Sequence, residues 1–264
     1  LSTTPSPAPP ELLGKRQMSG EDRFQFACDP DVPCFTRCCA DVNIVLTPVD
    51  VLRLSRRLGL TTTEFLARHA LVPITKELQL PVVMLRMGED EARRCPFVGE
   101  EGCTVYADRP WSCRMYPVAM ALPPARAGFE PRPLYFLLED GFCRGGEAGR
   151  AWSVDEWRRD QDVLGREELE SGFRDIVSHP WFIGGRRLDP KRCEIFFTAC
   201  YDLDRFRAFV FESTFLERFE VEAGTVERMR EDDEELLRFG FRWLRFALFA
   251  EPVLVPRAAS RRTA

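Results

Sequence analysis

Only two histidines, His69 and His179, occur in 264 residues, and neither stands inside a group of cysteines. That scarcity argues against a Cys2His2 zinc site and against a cysteine nucleophile with an imidazole close to it in sequence. No C-x2-C pair occurs anywhere, so the two tight pairs on which zinc ribbons and fingers rely are missing. Nor does Cys34 begin the three-cysteine spacing of radical S-adenosylmethionine enzymes. No run of 18 apolar residues indicates a membrane span. Basic charge is not in excess, with 37 Lys and Arg against 42 Asp and Glu, which disfavours a nucleic-acid binder. No internal repeat and no glycine-rich methyltransferase loop is evident. The N-terminal stretch, "LSTTPSPAPPELLGKRQMSG", lacks the charged-then-apolar order of a signal peptide. Residues 1–22 read as a disordered lead-in, and 251–264 as a loose tail whose "LVPR" resembles a protease site.

Cysteine, by contrast, is abundant and unevenly placed. Eight of the ten lie between 28 and 143 (Cys28, Cys34, Cys38, Cys39, Cys95, Cys103, Cys113 and Cys143), while Cys193 and Cys200 stand apart. The chain is long enough to build its own core, and its cysteine density is below that of small disulfide scaffolds. A reducing, cytoplasmic setting is therefore expected, where clustered thiols usually mean metal or redox chemistry. Disulfides are the main competing explanation. Cys193 and Cys200 read as small apolar residues in a core.

Within the group, the spacing is C-x5-C-x3-C-C, then C-x7-C-x9-C, then Cys143. Soft thiolates suit both zinc and iron–sulfur clusters. A cluster takes its thiolates on separate irons, so its ligands can come from distant loops. Cys38 and Cys39 add a limit, because adjacent side chains diverge and both on one ion would strain the backbone. Eight thiols suffice for one four-cysteine centre with spares, or for two.

The rest of the pattern predicts an α+β fold, predominantly helical, with a small antiparallel β element beside the cysteines and a helical C-terminal half. "TPVDVLRLSRRLG" reads as a helix from Thr47 to Gly59, and "TTTEFLARHAL" as another with a capping box from Thr61 to Glu64. Ser153 and Glu156 form a second such pair. "LPVVMLRM" and "CTVYA" are expected to pair as strands, and "YPVAMAL" and "PLYFLLE" are further strand candidates. Phe206, Phe209, Val210 and Leu216, like Leu236, Phe239, Trp243, Phe246 and Phe249, mark apolar helix faces. The expected division is a cysteine-cluster domain over 23–150 and a helical region over 151–250 packed on it.

Three stretches then resemble the YkgJ-type cysteine-cluster family of zinc- or iron-chelating domains: "CDPDVPCFTRCC", "CPFVGEEGCTVYADRPWSCRMYP" and "GFCRGG". The first is more widely spaced here than the family's CxxCxxCC. The resemblance implies a metal-binding domain, and a distant similarity to flagellin lysine methylases points toward a [4Fe–4S] cluster, with zinc as the alternative. The eight cysteines from Cys28 to Cys143 form the candidate ligand pool. Arg109 and Arg114 either stabilise a negatively charged cluster or form salt bridges with the acidic "GEDE" and "GEEG" loops. The functional expectation is a metal-binding protein with a redox or maturation role. A methylase-like enzyme and a structural zinc module are the alternatives. A protein or redox partner is expected, and no nucleic acid or membrane.

Overall fold

Capping residues mark where several helices begin. The computed structural model describes residues 16–73, 80–121, 132–182 and 185–257. Among these, α1 (Pro48–Leu58) is capped by Thr47, whose side chain accepts from the Asp50 N–H while Asp50 accepts from Thr47, and ends on Gly59 in the left-handed region. α2 (Thr62–His69) uses the reciprocal pair Thr61 and Glu64. α3 (Trp111–Met115) is one short turn that follows Pro110. α4 (Val154–Asp160) uses Ser153 and Glu156. The helical half continues with α5 (Leu164–Val177), α6 (Pro190–Cys200), α7 (Leu203–Glu212), α8 (Phe215–Arg218), α9 (Ala223–Glu231) and α10 (Asp233–Phe249).

The strands are short and antiparallel. They are β1 (Gln17–Met18), β2 (Arg23–Phe26), β3 (Ala70–Leu71), β4 (Met84–Leu85), β5 (Val98–Gly99), β6 (Gly102–Cys103), β7 (Val118–Ala121), β8 (Leu134–Leu137), β9 (Arg150–Ser153), β10 (Phe219–Glu220) and β11 (Val255–Pro256). β1, β8 and β7 form a three-stranded sheet, and the others pair as β2–β9, β3–β4, β5–β6 and β10–β11. The fold is thus α+β and mostly helical, as the pattern predicts. The expected pairing of 80–87 with 103–107 does not occur. Leu85 pairs instead with Ala70, and Cys103 with Val98 in a local hairpin, because a two-residue turn brings those neighbours together at less entropic cost. "YPVAMAL" and "PLYFLLE" do pair, as β7 and β8. Most of the segment between them lies outside the described residues.

The expected lead-in and tail lie partly outside the described residues. Residues 1–15 and 258–264 lie outside the described set, but Met18 is buried in β1 and Leu254 is buried beside β11. Strands of two residues leave no readable periodicity.

The larger core cluster joins α1 and α2 to α5, α6, α7 and α10, with Leu46, Leu54, Phe65, Phe196, Phe206 and Leu236 fully enclosed. Burying each such side chain stabilises the fold by about 1.5–3 kcal/mol. This cluster runs through residues on both sides of position 150. A smaller cluster, including Phe24, Phe26, Met115, Val118, Tyr135 and Trp157, fills the space between the three-stranded sheet, the β2–β9 ribbon and α4. Cys95 and Cys103 pack against the larger cluster and Cys143 against the smaller. The cysteines therefore mark the seam between the two.

Candidate metal centre

Cys38 and Cys39 sit in a 3-10 turn over Arg37–Cys39. Thr36 before it and Asp41 after it both take positive φ, 63° and 50°, a region that costs a β-branched residue such as threonine strain energy. Beyond the turn the backbone pairs with the start of the second cysteine block. The Cys95 N–H donates to the Cys39 carbonyl at 2.7 Å, and the Asp41 N–H to the Arg93 carbonyl at 3.1 Å. Cys39 and Cys95 are thereby laid side by side. The β5–β6 hairpin turns the chain so that Cys103 returns to the same place. Its Gly102 has φ +115°, and a Cβ there would lie 2.9 Å from the Phe35 ring. Cys113 arrives on α3, whose first N–H, from Trp111, donates to Asp50 Oδ1 at 2.9 Å.

A second gathering is built from Cys28, Cys34 and Cys143. The Ala27 N–H donates to the Gly145 carbonyl at 3.1 Å, and the Arg144 N–H to Cys34 Sγ at 3.1 Å. Gly145 is required by this approach, since a Cβ there would meet the Ala27 carbonyl at 2.6 Å and the Phe26 ring at 2.5 Å. The trailing glycine of "GFCRGG" thus has a steric reason to be glycine.

Electrostatic neighbours follow the same grouping. Burial first, then Cys38, Cys34 and Cys143, push the Cys28 thiol up to about 11. Cys113 is crowded by protein although one face reaches solvent. Burial, then Cys95 and Asp50, raise it to about 12. Burial also raises Cys95, against which the main-chain N–H groups of Phe97 and Val98 favour its thiolate. The Val105 N–H and the Arg109 charge do the same for Cys103. Such donors to sulfur are what a metal thiolate needs from its surroundings. Cys38 is lowered to about 7 by a hydrogen bond from the Cys39 thiol, whose own pKa rises for the same reason.

Arg109 and Arg114 are both buried. Arg114 donates to the main-chain oxygens of Ala107, Arg109 (3.1 Å) and Gln161 (2.7 Å). Arg109 donates to the Tyr106 carbonyl at 2.6 Å and to Gln161 Oε1, with its guanidinium 3.8 Å from the Tyr106 ring centroid. Their hydrogen bonds therefore brace α3 against the end of α4, and none of them reaches the acidic "GEDE" or "GEEG" loops. Arg109 alone also acts on a cysteine.

Sequence reading missed the buried polar group beneath α3. Asp50 accepts from Thr47 N–H at 3.0 Å through Oδ2 and from Trp111 N–H through Oδ1. Arg166 Nη1 lies 4.0 Å from Asp50, and Glu170 accepts from the Thr47 hydroxyl. Asp50 was legible only as a helix cap, and Arg166 and Glu170 carry no local signal. Two buried hydroxyls, Ser112 Oγ and Tyr116 Oη, have no hydrogen-bond partner. Ser112 precedes Cys113, and Tyr116 lies beside Cys143 and Asp140.

No disulfide joins any of the ten cysteines, and Cys193 and Cys200 are buried in the helical core. Among the described residues, no three His, Cys, Asp or Glu side chains are closed into a ready ligand shell for one ion. Main-chain N–H groups reach Cys34, Cys95 and Cys103, a donor set whose chemistry fits a thiolate-bound metal. Such a pattern, centred on a double cysteine, can be compared with known families. Residues 27–144 match the CxxCxxCC family. That family is described as a "putative zinc- or iron-chelating domain", and the matched stretch is a little under half of the chain. It contains all eight clustered cysteines, so the matched segment is similar to a chelating module for zinc or iron. The CxxCxxCC segment here spreads its leading cysteines, with five and three residues where the family name has two and two. Neither a curated protein nor a solved structure matches the chain. Beside Cys143, an open groove of about 460 Å³ is lined by Arg16, Arg23, Phe24, Glu139 and Asp140, among others. Among the described residues no helix is long and apolar enough to cross a membrane.

Proposed function

We propose that this chain is a cytoplasmic metal-binding protein that holds a [4Fe–4S] cluster through Cys39, Cys95, Cys103 and Cys113, with a redox or maturation role. The observation that carries this reading is the convergence of those four thiols from four separate segments, with main-chain N–H groups turned toward Cys95 and Cys103. A cluster takes one thiolate on each iron, which suits ligands delivered by different loops. Bound there, it would supply one-electron transfer. The chain's own contribution is to hold four thiolates, to exclude water with the larger core, and to raise the potential through N–H donors and the Arg109 charge. Zinc in the same thiolates is the alternative cargo, with a structural role. A redox or protein partner would approach where Cys113 reaches solvent.

A second reading, a protein-modifying enzyme, is favoured by the groove beside Cys143. It ranks lower because no acid–base pair lines that groove in a geometry that defines a reaction.

The deciding experiment is anaerobic purification followed by iron, sulfide and zinc analysis with an absorption spectrum. Iron and sulfide in equal amounts in a coloured protein are expected. A colourless protein with zinc and no sulfide overturns the iron–sulfur assignment. Disulfides among the eight cysteines, with no metal, overturn every metal reading.

A further inference from the structure

We propose that the groove beside Cys143 binds an extended segment of a partner protein, seated on the outer edge of β2, with an acidic side chain at Arg16 and a basic one at Asp140. The site goes beyond metal binding and does not depend on which thiols hold a metal.

The edge follows from the ladder. The Val154 N–H donates to the Asp22 carbonyl at 3.2 Å, and β2 pairs antiparallel with β9 in the same register. Opposed residues in such a ladder alternate between hydrogen-bonded and non-hydrogen-bonded pairs. Asp22, Phe24 and Phe26 therefore turn their main-chain groups toward β9, while Arg23, Gln25 and Ala27 turn theirs outward. Two of the outward groups are already engaged. The Arg23 carbonyl accepts from Arg16 Nη2 at 3.5 Å, and the Ala27 N–H donates to the Gly145 carbonyl at 3.1 Å. Between these points the Gln25 N–H and carbonyl are directed into the groove that Gln25 lines. Gly146 leaves that carbonyl open, since even a Cβ there would stay 3.9 Å from its oxygen. One donor and one acceptor on the same residue are what a strand edge offers to an added extended chain.

Shape and charge narrow the occupant. Pro117, Leu137 and Leu138 give the groove an apolar wall, and its volume is about 460 Å³. The four residues of β2 span about 10 Å, so the seat fits a short stretch of chain. At the Arg23 end stands the Arg16 guanidinium. The guanidinium of Arg23 itself turns to the Ala151 carbonyl at 3.1 Å and to Glu156 at 3.6 Å. At the other end is Asp140, whose carbonyl accepts from the Cys143 N–H at 3.0 Å, close to the Gly145 that packs on Phe26. Glu139 adds a second carboxylate to the lining. Opposite charges at the two ends select a segment with the complementary pair.

The test uses the full chain, purified anaerobically, and fluorescein-labelled peptides with blocked ends. Two carry the charges in opposite order, Glu-Thr-Val-Lys and Lys-Val-Thr-Glu, and a third, Gln-Thr-Val-Gln, is neutral. Fluorescence polarisation is expected to show saturable binding of one charged peptide below about 1 mM, and about tenfold tighter than the neutral one. N-methylation of the two central residues removes the donor for the Gln25 carbonyl and is expected to weaken binding about fivefold. Arg16→Gln is expected to weaken it about threefold with metal content per chain unchanged. No saturable binding, equal binding of the neutral peptide, or full affinity after N-methylation each overturns the proposal. A chain that sediments as a dimer, and becomes a monomer in Arg16→Gln, assigns the groove to a second copy and overturns it too. If the variant fails to fold, the peptide series on the parent decides alone. A parent that lacks metal yet binds the charged peptide supports this site while overturning the chelation reading.

Discussion

Asp50 shows how much one residue can carry. Its two oxygens each accept a main-chain N–H, one from Thr47 and one from Trp111, so it closes α1 and anchors α3 at once. An asparagine has one acceptor oxygen and would leave one of those donors facing an amide nitrogen. Asp50→Asn is expected to lower stability by about 1–3 kcal/mol, read by thermal unfolding, and an unchanged melting temperature would show that the double acceptance is unimportant. Gly102 is a second such position. Its φ of +115° and the Phe35 ring leave no room for a side chain. Gly102→Ala is expected to cost about 1–3 kcal/mol and to loosen the hairpin bearing Cys103, checked by unfolding and by metal retention against a chelator. The eight cysteines could be picked out from their spacing alone. Glu170 and Arg166 could not, because their importance comes from burial beside α1 after folding.

At the scale of elements, the helices were far more legible than the strands. Thr47, Thr61 and Ser153 each begin a helix with a reciprocal acidic partner three residues on, a local signal that sequence reports directly. The strands are mostly two to four residues long, too short for alternation to establish a partner. That is why Met84–Leu85 was matched with the wrong segment, while β7 and β8, each with four residues, were found. The helical faces were partly legible: Phe206 and Val210 are buried, but Phe209 remains 40% exposed. α8 breaks the face before Leu216, which belongs to a separate helix.

Across the whole molecule, the buried acids make stability depend on pH. Burial raises Glu170 to about 8 and Asp50 to about 6. Both are protonated in the fold at pH values where the unfolded chain has already released the proton. The unfolded state therefore binds fewer protons, and stability falls as pH rises, from about 4 toward 8. Glu170→Gln keeps an acceptor for the Thr47 hydroxyl and removes the ionisation. It is expected to flatten the fall between pH 5 and 8 and to raise stability at pH 8 by about 1–3 kcal/mol. Melting temperatures measured across that range, with a slope identical to the parent, would refute the assignment. Asp50, which accepts from the Trp111 N–H, links this buried pair to the helix that bears Cys113.

The turn around Cys38 and Cys39 has a consequence for how far the family pattern can drift. Backbone that reverses its hand at Thr36 and again at Asp41 confines six residues whose length is fixed by the pairing of Ala40 with Arg94. An inserted residue there would rotate one sulfur out of reach of its neighbours. Upstream, Cys28 and Cys34 are separated by hydrogen-bonded turns over Asp29–Phe35, which can absorb extra residues while both ends stay put. The chain keeps the double cysteine and places most of its extra spacing before Cys34, where the backbone leaves slack.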